Sequence, residues 1–82
     1  MDKLFKTIKN LPFTTDVKQA SVDNGIMFSY NGGDFLLTQH TNHILLRQVG
    51  EDTLNVIDIF NTNNPYNIDL HDLLWACDVW GE

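Results

Sequence analysis

His40 and His43 flank a turn as His-Thr-Asn-His, and two imidazoles three residues apart can share a metal ion, with His71 or Cys77 as a further ligand. Zinc sites favour recognisable Cys/His pairs. Here the chain has one cysteine and no second pair, so hairpin-end histidines in water are expected instead. Cys77 and His71 fall within one helical pattern, a pairing of residue types that suits a nucleophile and its base. Six residues place them about 240° apart around the axis, on different faces. Cys77 sits in an apolar stripe, where a thiol is inert. Asn31-Gly32-Gly33-Asp34 has the glycines of a phosphate loop but not its lysine, its spacing or its following helix, and reads as a turn. The adjacent carboxylates of Glu51 and Asp52 lack the burial that drives two pKa values apart. No Ser–His–Asp arrangement can be argued. The expectation is a protein that is not an enzyme, with no catalytic residue, no cofactor and no bound metal.

Charge is more informative than any of these constellations. The formal net charge is −6, and its distribution is uneven. Lys3, Lys6, Lys9 and Lys18 lie in the first 18 residues, and only Arg47 follows. From Gln48 onward there is no Lys or Arg, while Glu51, Asp52, Asp58, Asp69, Asp72, Asp78 and Glu82 supply seven carboxylates. A nucleic-acid binder needs the opposite sign, so direct nucleic-acid binding is not expected. Two readings remain open: an acidic surface that keeps the chain dispersed, or a surface aimed at a basic partner.

The elements that must carry these groups follow from length and pattern. Eighty-two residues make one domain, which buries about 60% of the surface of its unfolded chain and leaves little room for a deep cleft. A lone cysteine excludes an internal disulfide framework and points to a reducing compartment, the cytosol. No apolar run approaches the ~18 residues of a membrane span, and Met1-Asp2-Lys3-Leu4-Phe5-Lys6 lacks the apolar stretch of a signal peptide.

Leu4, Phe5, Ile8 and Leu11 recur at helical spacing with lysines 3, 6 and 9 on the other side. That predicts a short amphipathic helix ended before Pro12. Strands are predicted over 17–23, 26–30, 35–40, 43–49 and 54–60. Val17 and Val22 are core candidates, and Ile26, Phe28 and Tyr30 alternate against Met27 and Ser29. Asn24-Gly25 suits a type I′ turn, Asn31 to Asp34 and Gly50 to Asp52 are further turns, and Thr41-Asn42 joins the third strand to the fourth. Connections this short exclude crossover helices, so an antiparallel meander of four or five strands is expected. Phe35-Leu36-Leu37 and Ile44-Leu45-Leu46 do not alternate and read as central strands, partly covered on both faces. The fold class is α+β: helix, meander, helix.

The last helix begins after the loop 61–65. Asp69 as N-cap with Asp72 in an acidic first turn is favoured; Asn64 as cap with Pro65 in the first turn also fits. Leu70, Leu73, Leu74, Cys77 and Trp80 form the core stripe, His71, Trp75, Asp78 and Glu82 the opposite face, and Gly81 the end. An exposed Trp75 beside Asp72, Asp78 and Glu82 would suit an interface anchor. The alternative is that strand loops wrap over Trp75 and bury it.

A short acidic chain reading helix, antiparallel strands, helix resembles small phage-encoded inhibitors of nucleic-acid enzymes, of the anti-CRISPR type. The resemblance rests on the layout, on the opening helix Asp2-Lys3-Leu4-Phe5-Lys6-Thr7-Ile8-Lys9-Asn10 and on the Asn/Gly hairpin that follows. It implies a cytosolic protein of an infected cell that sets carboxylates where a target expects phosphates, a partial mimic of DNA. The expected partner is a basic protein surface, such as that of a nucleic-acid-binding enzyme or CRISPR effector, and no membrane. The expected partner-binding residues are Glu51, Asp52, Asp69, Asp72, Trp75, Asp78 and Glu82. The alternative is a small assembly or adaptor module that forms a homo-oligomer.

Overall fold

Apolar residues at helical spacing near both ends, and at strand spacing between them, build two helices around one sheet. The structure, a computed structural model, describes residues 2–21, 25–62, 64 and 67–80. Helix α1 (Asp2–Lys9) is followed by β1 (Thr14–Gln19), β2 (Ile26–Tyr30), β3 (Gly33–Gln39), β4 (Ile44–Val49), β5 (Leu54–Phe60) and helix α2 (Leu70–Trp80). The five strands lie in sequence order and each neighbouring pair is antiparallel. This is the α+β meander that the short connections require.

Register places the core on one face. Ile26 faces Leu37, Phe28 faces Phe35, and Leu37 faces Leu46. The Phe28 and Phe35 rings stack with centroids 5.6 Å apart. Leu4 and Ile8 of α1 join this cluster, as do Ile68 and Leu73, Ala76 and Cys77 of α2. Both helices therefore cover the same face of the sheet. Each fully buried Leu, Ile or Phe there contributes roughly 1.5–3 kcal/mol.

The opposite face has no helix on it among the described residues. Leu36 and Thr38 on β3 are nonetheless buried. Leu36 has Met27 and Arg47 as its cross-strand partners, and Arg47 Nη1 donates to Thr38 Oγ1 at 3.0 Å. The central strand is thus covered on both sides as its composition suggests, but not by a second layer. Toward β5 the cover runs out, and Leu54, Val56 and Ile59 are exposed. Leu54 and Val56 pair with Val49 and Arg47, and Ile59 with Leu45, on either side of a bulge between Leu46 and Arg47.

Several boundaries differ from the sequence pattern. The first strand is Thr14–Gln19, earlier than 17–23, and Val17 is its half-buried contribution to the core. Thr14 explains the early start. Its buried hydroxyl donates to the Ile8 carbonyl at 2.6 Å, which also takes the Leu11 N–H at 3.1 Å, and lies 3.3 Å from the Leu11 carbonyl. The chain is thereby pinned to the sheet at once. Val22 and the proposed type I′ turn at Asn24 lie outside the described residues, although Ala20 N–H donates to the Gly25 carbonyl at 2.8 Å. Among the described residues, a two-residue turn of that type sits between β2 and β3, where Asn31 has φ 52° and Gly32 φ 83°. Gly33 and Asp34, expected in the turn, are the first residues of β3. A Cβ on Gly33 would stand 3.0 Å from the Phe35 ring.

Candidate docking face

Helix α2 carries three of the residues that sequence reasoning selected, Asp72, Trp75 and Asp78, and Asp69 immediately precedes it. Asp69 Oδ1 accepts the His71 N–H at 2.8 Å, and the Asp69 carbonyl accepts the Leu73 N–H at 3.0 Å. That is an N-cap, so the helix starts after Asp69 and not at residue 65. Asp72 then lies in the first turn, where the helix dipole favours a carboxylate.

The buried stripe is Leu73, Ala76 and Cys77, with Leu70 half-buried. Leu74 is only half-buried, contrary to the expected stripe, and Ala76 is fully buried in its stead. The two positions lie about 100° to either side of the outward-facing Trp75. The helix is rolled so that the small Ala76 meets the sheet. The side chain of Trp80, and Gly81 and Glu82, lie outside the described residues.

The roll sets His71, Asp72, Trp75, Asp78 and Val79 outward, all exposed. Trp75 is 57% exposed and Val79 49%, so strand loops do not bury the indole. Val79 was not among the selected residues; its position one turn beyond Trp75 is the signal that marks it. Glu51 and Asp52 are exposed in the β4–β5 turn, which is closed by Gly50 N–H donating to the Thr53 carbonyl at 2.8 Å. Because Tyr30 faces Gly33 and Asp34 faces Val49, this turn and the β2–β3 turn share one end of the sheet.

Asp78 reaches that same end. Its Oδ2 accepts the Tyr30 phenol at 3.1 Å and its Oδ1 accepts Asn31 Nδ2 at 3.2 Å. Glu51, Asp52 and Asp78 therefore belong to one end of the molecule. Asp69 opens the helix nine residues earlier, about 14 Å away along the axis. Phe13 adds an aromatic edge to Tyr30, with centroids 5.8 Å apart at 65°. Phe13, Tyr30, Asn31 and Asp78 line an open groove of about 430 Å³. Loss of hydration, then the hydrogen bond to Asp78 and its charge, raise the Tyr30 pKa above the ordinary phenol value, so the phenol remains a donor. A second open concavity of about 370 Å³ is lined by Asp16, Val17, Lys18, Met27, Phe28, Ser29 and Asp34. Both are open surface concavities, and neither is the deep cleft for which the chain length leaves little room.

The other constellations resolve differently. Cys77 is buried, and desolvation, then the Asp78 charge, push its thiol up to about 12. His71 is exposed on the far side of the helix, so the two form no pair. His40 and His43 are half-buried, not free in water as hairpin-end residues were expected to be. Their rings stack at 4.9 Å with 18° between planes, and His40 Nε2 lies 2.9 Å from Thr38 Oγ1. Stacking turns ring faces, rather than nitrogen lone pairs, toward each other. Among the described residues no three His, Cys, Asp or Glu side chains gather as a ligand set, and no helix is long and apolar enough to cross a membrane.

No protein-family model, curated protein or solved structure matches this chain. The arrangement itself offers carboxylates, an exposed indole and an aromatic groove. Together these can receive cations and apolar groups.

Proposed function

We propose that the protein is an acidic binding module that docks on a basic protein surface through the outer face of α2 and the adjacent β4–β5 turn. The observation that carries this reading is Trp75, 57% exposed between Asp72 and Asp78 on a helix that has a well-buried opposite face. Carboxylates steer a basic partner toward the helix, and the indole supplies the desolvated contact that Coulomb attraction lacks in water. Val79 extends the apolar patch by one turn. A surface that normally holds nucleic acid is the partner class this charge fits, as in the phage-encoded inhibitors that the layout resembles. The module would then act by occupying that surface, without chemistry of its own.

The test is charge reversal. Asp78 is left in place because it holds Tyr30 and Asn31. Asp72→Lys with Glu51→Lys should leave the circular dichroism spectrum intact and slow association with a captured basic partner at least about tenfold at low salt. Trp75→Ala should instead speed dissociation. If both variants bind as the natural chain does, the interface lies elsewhere.

A second reading is favoured by one observation, the exposed row Leu54, Val56 and Ile59 on the uncovered sheet face. An apolar row on a sheet's outer strand suits a second copy of the chain. In that reading the module works as a homo-oligomer and the acidic helix keeps the assembly dispersed.

A further inference from the structure

We propose that the groove between Phe13, Tyr30, Asn31 and Asp78 is an arginine-binding site that takes one guanidinium group from the partner. The inference rests on the docking reading above and names the group that would be read.

The groove combines features that select this cation. Phe13 is 50% exposed although it is a phenylalanine on a short connection, and its ring stands edge-on to Tyr30 at 5.8 Å. Both rings line the groove, and in an edge-to-face pair the ring that offers its edge keeps its own faces free for a flat cation to stack on. Asp78 closes the other side. Its two oxygens each accept one hydrogen bond, from Tyr30 and from Asn31. A carboxylate has about four acceptor positions, so each oxygen keeps capacity for a further donor. The two bonds already made fix the carboxylate plane.

A guanidinium matches that remaining pattern. It is planar, stacks on aromatic rings, and offers two parallel N–H donors to one carboxylate. An ammonium group is a point charge that cannot make the parallel pair. Charge complementarity also favours a cation: among the described residues lining the groove, Asp78 is the one charged group. The volume, about 430 Å³, exceeds a single arginine side chain, so the groove can admit it together with flanking backbone. Trp75 stands three residues before Asp78 on the same helix side, and the two are surface neighbours. An arginine in the groove would thus sit beside the apolar anchor of the docking face.

The probe is the tripeptide acetyl-Gly-Arg-Gly-amide, with counterparts carrying citrulline or lysine, titrated into the isotope-labelled protein and followed by two-dimensional NMR. The arginine peptide should bind with a dissociation constant on the order of 1–10 mM and shift the amides of Phe13, Tyr30 and Asn31 and the Asn31 side-chain amide. The lysine peptide should bind at least about threefold more weakly, and the neutral, nearly isosteric citrulline peptide should not saturate. Asp78→Asn should weaken the arginine peptide at least about tenfold. Should that variant not fold, Phe13→Leu, at a half-exposed site, should weaken it about threefold. Equal binding of citrulline or lysine, shifts confined to other residues, or no saturation with arginine would each overturn the assignment. These outcomes are separate from the docking reading. A chain that ignores the tripeptide yet loses its partner on reversal of Asp72 and Glu51 keeps the docking face and loses only the groove.

Discussion

The phenol oxygen of Tyr30 stands 3.1 Å from Oδ2 of Asp78 and joins the end of β2 to the last turn of α2 across 48 positions of sequence. With Asn31 Nδ2 on the other carboxylate oxygen, it fixes where the acidic helix ends relative to the sheet. One carboxylate is therefore both a member of the acidic face and the clasp that orients it.

The clasp can be measured by a double-mutant cycle. Tyr30→Phe and Asp78→Ala should each cost about 1 kcal/mol in urea unfolding, and their combination less than the sum by about 0.5–1 kcal/mol, since the bond is to a charged acceptor but reachable by water. Strict additivity would mean that the bond contributes nothing to the fold.

A second prediction concerns Thr14. Its hydroxyl serves two carbonyls at the end of α1 from a buried position. Thr14→Val keeps the shape and β-branching but leaves both acceptors without that donor, so a loss of about 1–2 kcal/mol is expected. Thr7→Ala removes an exposed bond to the Lys3 carbonyl and should cost less than half as much. Equal costs at the two sites would show that the buried hydroxyl is not what joins α1 to β1.

Much of this architecture could be read from the residues. Strand number, antiparallel order and the Asp69 cap all follow from turn residues, short connections and apolar period. What could not be read depends on tertiary contacts. Thr14–Gln19 has a weak strand pattern of mostly exposed residues, and it is a strand because β2 pairs with it and Thr14 closes the helix. The exchange of Leu74 for Ala76 in the buried stripe reflects how the helix is rolled, which periodicity alone leaves undetermined to within one position. On the candidate site, the pattern selected Asp72, Trp75 and Asp78 but had no means to place Phe13 and Tyr30 beside them. Those contacts span the length of the chain.

Alkaline pH should weaken the fold. Below about pH 9 the Cys77 thiol is protonated in both folded and unfolded chains, and it adds no pH dependence. From about pH 9 upward the unfolded chain releases its proton while the folded chain holds it until about 12, so stability falls with rising pH through that window. Tyr30 acts in the same direction above its ordinary value of 10.0. The urea midpoint should be level between about pH 7 and 8.5 and decline by about pH 10.5. Cys77→Ala should flatten part of that decline. The native thiol should also react slowly with a disulfide reagent at neutral pH, and rapid labelling would contradict its burial.

The last prediction separates the two functional readings by their response to salt. Leu54, Val56 and Ile59 form an exposed apolar row on the uncovered face of the outermost strand. Burial of that row against a second copy would be hydrophobic in origin and insensitive to ionic strength, whereas docking of the acidic helix weakens as salt screens its carboxylates. The edge carries one device against open-ended pairing: Asp58 Oδ1 takes the Ile59 N–H at 2.8 Å, and a charged residue within an outer strand discourages continuous addition of further strands. Self-association through the face, not the edge, is therefore the form to look for. Size-exclusion chromatography with light scattering at about 0.05 M and about 0.5 M salt should show one monomeric species at both concentrations if the acidic face is the working surface. Binding of the basic partner should then fall at high salt. If the row is an interface, a dimer persists at both salts, and Val56→Lys with Ile59→Lys converts it to monomer without altering the circular dichroism spectrum. A monomer that holds its partner equally at both salt concentrations would contradict both readings.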